Sequence, residues 1–199
     1  MKALNRQHLL LVTLLCLSLP GISASPSHQP ATAVQDIYTD ALAPGWSNWS
    51  WATVDLQAAT PVHSGSCSMA VTYGAWQGLY LHYPELSTAG FSHLCFFIHG
   101  GNAGGQRLNV YATHTVNGSD QNGPSVAVSP PIANAWSEVR LALADLGVAN
   151  ASLTGLVWQD ATGGAQPTLH IDDIALVTDS SPDGLTLSAG YLLPRGDSR

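Results

Sequence analysis

Charge is scarce in this sequence: 199 residues hold 6 Lys and Arg against 13 Asp and Glu, a formal net charge of -7. No basic stripe exists to meet phosphates, so nucleic acid is excluded as a partner, and anionic polysaccharides or anionic membrane surfaces are poor matches. Long apolar runs are confined to residues 9–19, too short a stretch to span a bilayer, and membrane insertion is not expected. Helical periodicity is missing as well; its one suspect, residues 142–146, is too short to matter. Cysteine is rare, with 3 in the chain.

Glycine and proline, by contrast, are plentiful, at 19 and 12, which suits a turn-rich β protein of one domain. At the start, Lys2 and Arg6 precede the apolar run, and Ile22-Ser23-Ala24 follows it, the layout of a signal peptide over residues 1–24. A secreted, extracellular protein is expected. Cys16 falls within that segment and leaves with it. Cys67 and Cys95 then remain, and in an oxidising compartment they are candidates for a disulfide; the alternative is that both are small buried hydrophobes. Residues 25–35 read as a flexible leader, residues 36–178 as the domain, and residues 179–199 as a flexible tail. That tail carries Arg195-Gly196-Asp197-Ser198, a cell-adhesion tripeptide with its following serine. Asn48, Asn117 and Asn150 each begin a glycosylation sequon, which matters only in a eukaryotic host.

Strand periodicity is organised around residues 92–114 (SHLCFFIHGGNAGGQRLNVYATH). Leu94, Phe96 and Ile98 share one face, and so do Leu108, Val110 and Ala112. The opposite faces mix rings and hydrogen-bonding groups, among them His99, Arg107, Asn109 and Tyr111, without Lys or Glu. Such a face suits a polar, ring-shaped ligand such as a sugar, or it is an ordinary half-exposed sheet. The glycine-rich loop between the two runs is no phosphate cradle, because it opens into a strand rather than a helix. Further short strands are expected over Ser68–Tyr73 and residues 79–83, where Tyr80 and His82 face outward, and over residues 126–128, 136–143, 153–159 and 168–177. Eight to ten short strands with turns between them predict an all-β, antiparallel two-sheet sandwich.

Aromatic side chains stack on the apolar face of a pyranose while polar neighbours read its hydroxyls. Three tryptophans, Trp46, Trp49 and Trp51, fall within six residues; Trp49 and Trp51 share a phase, so one of them is expected in the core. Trp136 and Trp158 are also assigned to the interior. Trp76, in the loop-like Gly74-Ala75-Trp76-Gln77-Gly78, is the best single stacking candidate. The expected ligand-binding set is therefore Trp76, Tyr80, His82, His99, Gln106, Arg107, Asn109 and Trp49. Gln159-Asp160 either adds to the polar edge or starts a turn.

In the last run, Leu169 and Ile171 are in one phase and Ile174 and Leu176 in the other, which implies a bulge at Asp172-Asp173. Two adjacent carboxylates in an apolar strand need a reason. Calcium, which takes carboxylate and carbonyl oxygens, is one; the other is that one Asp faces water while its neighbour caps a turn.

Asp36-Ile37-Tyr38-Thr39-Asp40, the tryptophan cluster and Leu169-His170-Ile171-Asp172-Asp173-Ile174 together resemble the β-jelly-roll carbohydrate-binding modules of the galactose-binding-like superfamily, which occur in secreted polysaccharide-degrading enzymes. The resemblance implies two antiparallel sheets, a structural calcium held by Asp40 with Asp172 or Asp173, Asp36 being a weaker ligand, and non-catalytic binding of a neutral polysaccharide or cell-wall glycan. Unlike the usual arrangement, no catalytic domain is expected within these residues.

Enzyme readings need their own residues. A glycosidase needs two placed carboxylates, and only Glu85 and Glu138 are available as glutamates after residue 24. A jelly-roll lyase could draw on His99, Arg107 and Tyr111. Zinc at His82, His93 and His99 lacks a ligand-like spacing. The alternatives to a binding module are thus a small polysaccharide lyase or a secreted structural or adhesion protein.

Overall fold

The computed structural model describes residues 34–178. The signal peptide, all but the end of the leader, and the tail with its adhesion tripeptide lie outside those residues. Twelve strands follow one another: β1 Val34–Tyr38, β2 Ser47–Asn48, β3 Thr53–Ala58, β4 Ser68–Tyr73, β5 Gly78–Ser87, β6 His93–His99, β7 Leu108–Val116, β8 Ser119–Asn122, β9 Val126–Ala127, β10 Trp136–Ala142, β11 Ser152–Asp160 and β12 Gln166–Val177. No helix occurs among the described residues.

Two six-stranded antiparallel sheets form the sandwich that the alternation predicts. The first sheet runs β10-β6-β12-β4-β3, with β1 also on β12; the second runs β2-β5-β11-β7-β8, with β9 also on β7. Inward side chains of the first sheet (Met69, Val71, Leu94, Phe96, Ile98, Leu169, Ile171, Ile174) meet those of the second (Leu79, Leu81, Leu108, Val110, Leu156, Trp158) in one core. Apolar burial on this scale drives folding, and the pleat then forces every second side chain outward.

The bulge expected at Asp172-Asp173 is present. Register between β12 and β6 shifts between Asp172 and Ala175, and Asp173 has a φ of 48°. Before the bulge β12 pairs with β4; beyond it the same edge passes to β1. One extra residue therefore keeps Ile171 and Ile174 both facing the core.

The central pair differs from expectation. β6 and β7 are consecutive but belong to opposite sheets, so the glycine-rich loop is a crossover and not a hairpin turn. Its backbone is bonded to residues 131–134: Gly100 N–H donates to Ile132 O at 3.0 Å, Gly105 N–H to Pro131 O at 2.9 Å, and Asn134 N–H to Gly101 O at 2.7 Å. Outward residues of β6 and of β7 thus end on opposite faces of the sandwich.

Two expectations about the tryptophans also change. Trp46, not Trp49 or Trp51, is the core member of its cluster, its ring 5.3 Å from that of Tyr83. Trp136 sits on the outer side of the first sheet opposite His99, in phase with exposed Glu138 and Arg140, so of the pair assigned to the interior Trp158 alone is there.

No disulfide joins Cys67 and Cys95. Cys67 immediately precedes β4 and Cys95 lies on β6, with β12 between those strands. Two strand spacings amount to about 9.6 Å, beyond the roughly 7 Å limit that a disulfide places on its Cα atoms. Alkylation of the denatured, unreduced protein followed by peptide mapping should find both cysteines modified. A cross-linked Cys67–Cys95 peptide would overturn this geometry.

Candidate functional site

The outer face of the second sheet gathers the aromatic residues. Register places Gln159 beside Asn109, Val157 between Tyr80 and Tyr111, and Gly155 between His82 and Thr113. Each of these positions alternates with a buried neighbour, which is why they all face outward together. Val157 points outward and is nonetheless buried, since bulky rings flank it on both sides.

Loops at the sheet margin add three indoles. Trp49, just after β2, stacks parallel to His82 with ring centroids 3.6 Å apart and 2° between planes, and meets Tyr80 edge-on at 5.9 Å. Trp51 meets Tyr80 edge-on at 6.5 Å and donates its indole N–H to Trp76 O at 2.9 Å. Gln159 Nε2 donates to the same carbonyl at 3.0 Å. Trp49, Trp51 and Trp76 are 55%, 42% and 61% exposed, an unusual amount of indole to leave in water.

Missing side chains seat these rings. A Cβ on Gly78 would lie 2.5 Å from Trp51 Cζ2, and one on Gly163 2.6 Å from Trp76 Cζ2. A Cβ on Gly155 would collide with the Tyr80 ring, whose hydroxyl reaches Thr113 Oγ1 at 3.3 Å. These glycines let the rings lie against the backbone.

Asp160 fixes the Trp76 end. Its buried carboxylate accepts from Trp76 N–H (2.9 Å), Thr162 N–H (2.9 Å), Thr162 Oγ1 (2.7 Å), Gly163 N–H (2.8 Å) and Gln166 Nε2 (2.7 Å). Burial alone would raise its pKa, but these bonds outweigh burial and hold it below the usual carboxylate range. Tyr111, by contrast, is shifted upward by burial and by the neighbouring Tyr80, so its phenol keeps its proton as a donor.

Of the eight expected binding residues, Trp49, Trp76, Tyr80, His82 and Asn109 share this platform. Arg107 is exposed at its Trp76 end, with its carbonyl accepting from Ala161 N–H and Gln166 Nε2. Two lie elsewhere. His99 is on the first sheet, because its strand does not pair with β7. Gln106 is buried and serves the crossover loop, donating to Gly100 O at 2.9 Å. Trp51, Tyr111 and Gln159 belong to the platform without being in the expected set; the outward phase of Tyr111 with Asn109 was the available signal.

Neither enzyme constellation assembles. His99 and Tyr111 are on different sheets, as are Glu85, which accepts from Ser152 Oγ on β11, and Glu138 of β10. Among the described residues no group of three or more His, Cys, Asp or Glu could hold a metal ion, which covers His82, His93 and His99.

The three carboxylates assigned to calcium grip one loop. Asp172 accepts from His63 N–H at 2.9 Å, Asp173 meets His63 Nδ1 at 2.6 Å and Ser64 Oγ at 2.7 Å, and Asp40 accepts from Ser66 and Cys67 N–H. Burial raises the pKa of Asp172 despite its bonds, while the two backbone donors lower that of Asp40. As placed, these carboxylates hold the loop over residues 63–67, and among the described residues they do not form a group of three or more such side chains able to hold a metal ion.

Two predictions follow from these contacts. Replacing Asp160 with Asn turns an amide N–H₂ toward donors and should destabilise the protein by about 1.5–3 kcal/mol at neutral pH, as expected for losing charged hydrogen bonds. Because the folded pKa is depressed, that difference should persist down to about pH 4 and vanish as wild-type Asp160 protonates below it; a difference independent of acidification would sink the role given to the charge. Exhaustive chelation should leave the melting temperature unchanged, whereas a rise on adding calcium would establish a cation site that these contacts do not supply.

No family model matches the chain. A curated relative, an endoglucanase of Dictyostelium discoideum, is 30% identical over 146 residues, 69% of this chain; the chain spans only 20% of that protein. Among solved structures, a variant of the module CBM29-2 complexed with mannohexaose superposes with a TM-score of 0.51 at 14% identity, over 74% of this chain and 92% of that one. Another variant, complexed with cellulohexaose, gives 0.50 at 16% identity over 74% and 92%. A further family 29 carbohydrate-binding module gives 0.50 at 15% identity over 74% and 89%. The chain has the β-jelly-roll fold of these carbohydrate-binding modules.

Proposed function

We propose that this protein is a secreted, non-catalytic glycan-binding module that holds a neutral polysaccharide on the outer face of its second sheet. The observation that carries the reading is the platform of exposed Trp49, Trp51 and Trp76 around Tyr80 and Tyr111. Rings of this kind offer apolar faces for pyranose C–H groups. Asn109 and Gln159 stand beside them as amides able both to donate to and to accept from sugar hydroxyls. Arg107, at one end, is the one permanently charged side chain of the set, which favours an uncharged chain along the remainder.

Support comes from three directions. The solved modules with this fold include ones complexed with mannohexaose and with cellulohexaose. The curated relative is named an endoglucanase, and a stretch amounting to a fifth of it is what this chain matches. Residues 1–24 read as a secretion signal, which would bring the domain to extracellular glycan.

Affinity electrophoresis in gels containing soluble β-glucan or mannan, with the domain's Trp variants, tests the reading. Trp76→Ala and Trp49→Ala should each weaken binding by about 1–3 kcal/mol, roughly 5- to 150-fold. Their melting temperatures should stay close to wild type, because exposed rings bury little on folding. Unaltered retardation in both variants would remove the platform as the binding face, and release of unsaturated sugars from a uronate polymer by the wild type would favour the lyase.

A further inference from the structure

The outer side of the first sheet carries a cleft of about 670 Å³ lined by Thr60, His99, Asn102, Asn134, Thr168 and His170, with backbone of the crossover loop. That size is ordinary for a small-molecule site. It lies on the face opposite the platform, since β6 and β12 belong to the first sheet and the platform strands to the second.

Its walls are already in place. Asn134 N–H donates to Gly101 O, Gly100 N–H to Ile132 O and Gly104 N–H to Gly100 O, at 2.7–3.0 Å. Gly101, with a φ of 60°, comes so close to Thr168 O that no side chain would fit there. A ligand entering this cleft would not have to order its walls first.

The contacts around the two imidazoles set the tautomer of His99 and favour one for His170. Gly101 N–H donates to His99 Nδ1 at 3.0 Å, so Nδ1 is the lone-pair nitrogen and a neutral His99 carries its proton on Nε2. Ser68 has one hydroxyl proton and gives it to Pro61 O at 2.7 Å. Its oxygen lies 3.5 Å from His170 Nδ1, a contact that favours the tautomer with the proton on Nδ1 and Nε2 as the acceptor. Burial lowers the pKa of both rings, first and foremost, so both are neutral at neutral pH. Both imidazoles line the same cleft with ring centroids 6.0 Å apart, so its lining includes one ring with a donor Nε2 and one whose favoured tautomer has an acceptor Nε2.

A group that accepts from one and donates to the other satisfies both. A hydroxyl does; a carboxylate has no proton for His170, and an ammonium has no lone pair for His99. Among the described residues the side-chain amides of Asn102 and Asn134 have no hydrogen-bond partner, and they add further donors and acceptors. No lining side chain has a fixed charge. We propose that this cleft is a second carbohydrate site, taking a single uncharged sugar ring through paired contacts of one hydroxyl with His99 and His170 and of others with Asn102 and Asn134. The inference does not rest on the platform. With both sites filled, one domain would hold two glycan segments on opposite faces.

The test is a set of amide and indole NMR spectra of the protein titrated with glucose, galactose, mannose, cellobiose and mannobiose, to about 50 mM, enough to populate a site of mM affinity. Amides of Gly101, Asn102 and Asn134 should shift both in the wild type and in a Trp49→Ala/Trp76→Ala variant. An Asn102→Ala/Asn134→Gly variant, with glycine at the second position because Asn134 has a left-handed φ of 54°, should bind at the cleft at least tenfold more weakly while its Trp49 and Trp76 indole signals still respond. Cleft amides that no sugar of the panel moves, or that fall silent in the tryptophan variant, would overturn the second site, and so would a stronger response to acetate than to any sugar. Silent indoles with shifting cleft amides would instead count against the platform and leave this site standing.

Discussion

A buried carboxylate must be given back the hydrogen bonds it loses with water. Asp160 shows how much structure that requirement can organise. Its five donors come from the loop holding Trp76, from the turn after β11, and from the start of β12. Satisfying one charge therefore fixes the end of the central strand of the second sheet, the turn that returns the chain to the first sheet, and the most exposed indole of the platform. Gln166 extends the same network, accepting from Arg107 N–H at 2.7 Å and donating to Arg107 O at 3.0 Å, so the beginning of β7 is held in register too. Exposed surface and buried network meet at this point: a ring 61% exposed keeps a defined position because its backbone is tied to a residue that is itself buried.

The same logic governs the carboxylates on the other sheet. Asp172 is fully buried and pairs with N–H groups of the loop over residues 63–67, while Asp173, pushed out of the ladder by the bulge, takes the side chains of His63 and Ser64. His63 in turn stacks on Phe97 at 3.5 Å, so the loop closes over an apolar ring as well as over charge. The bulge and the loop explain each other. Without the extra residue, either Asp172 or Ile174 would face the wrong way.

Much of this was legible in the residues. The period-2 runs at Leu79-Leu81, Leu94-Phe96-Ile98 and Leu108-Val110-Ala112 identified inward faces, and the phase flip at Asp172-Asp173 identified the bulge. Those signals are local, and a strand's own alternation is all they report. Which strand lies beside which is decided by burial across the whole chain. The alternation of β6 and β7 is sound, yet it could not reveal that the two strands face opposite solvents, and hence that His99 and Asn109 cannot share a ligand. Trp136 was misplaced for a related reason: it is three residues from Val139, an odd step that puts the two on opposite faces. Gln106, polar and next to glycines, resembles a surface residue until the crossover loop is seen to need its amide.

Glycine is where local and global readings part most sharply. In sequence, Gly78 and Gly155 look like weaknesses in their strands, since glycine loses the most entropy on folding and gives a sheet nothing to pack. In the folded chain Trp51 lies against the first and Tyr80 against the second. A side chain at either position would lift the ring off the sheet, so the cost to the strand and the smooth seat for the ring are one feature. The rings on that seat are not all parallel: Trp49 and Tyr80 cross at 87°, whereas Trp49 and His82 are within 2°. The orientation of the exposed indoles is thus set by absent side chains and one buried carboxylate, and not by packing in the core.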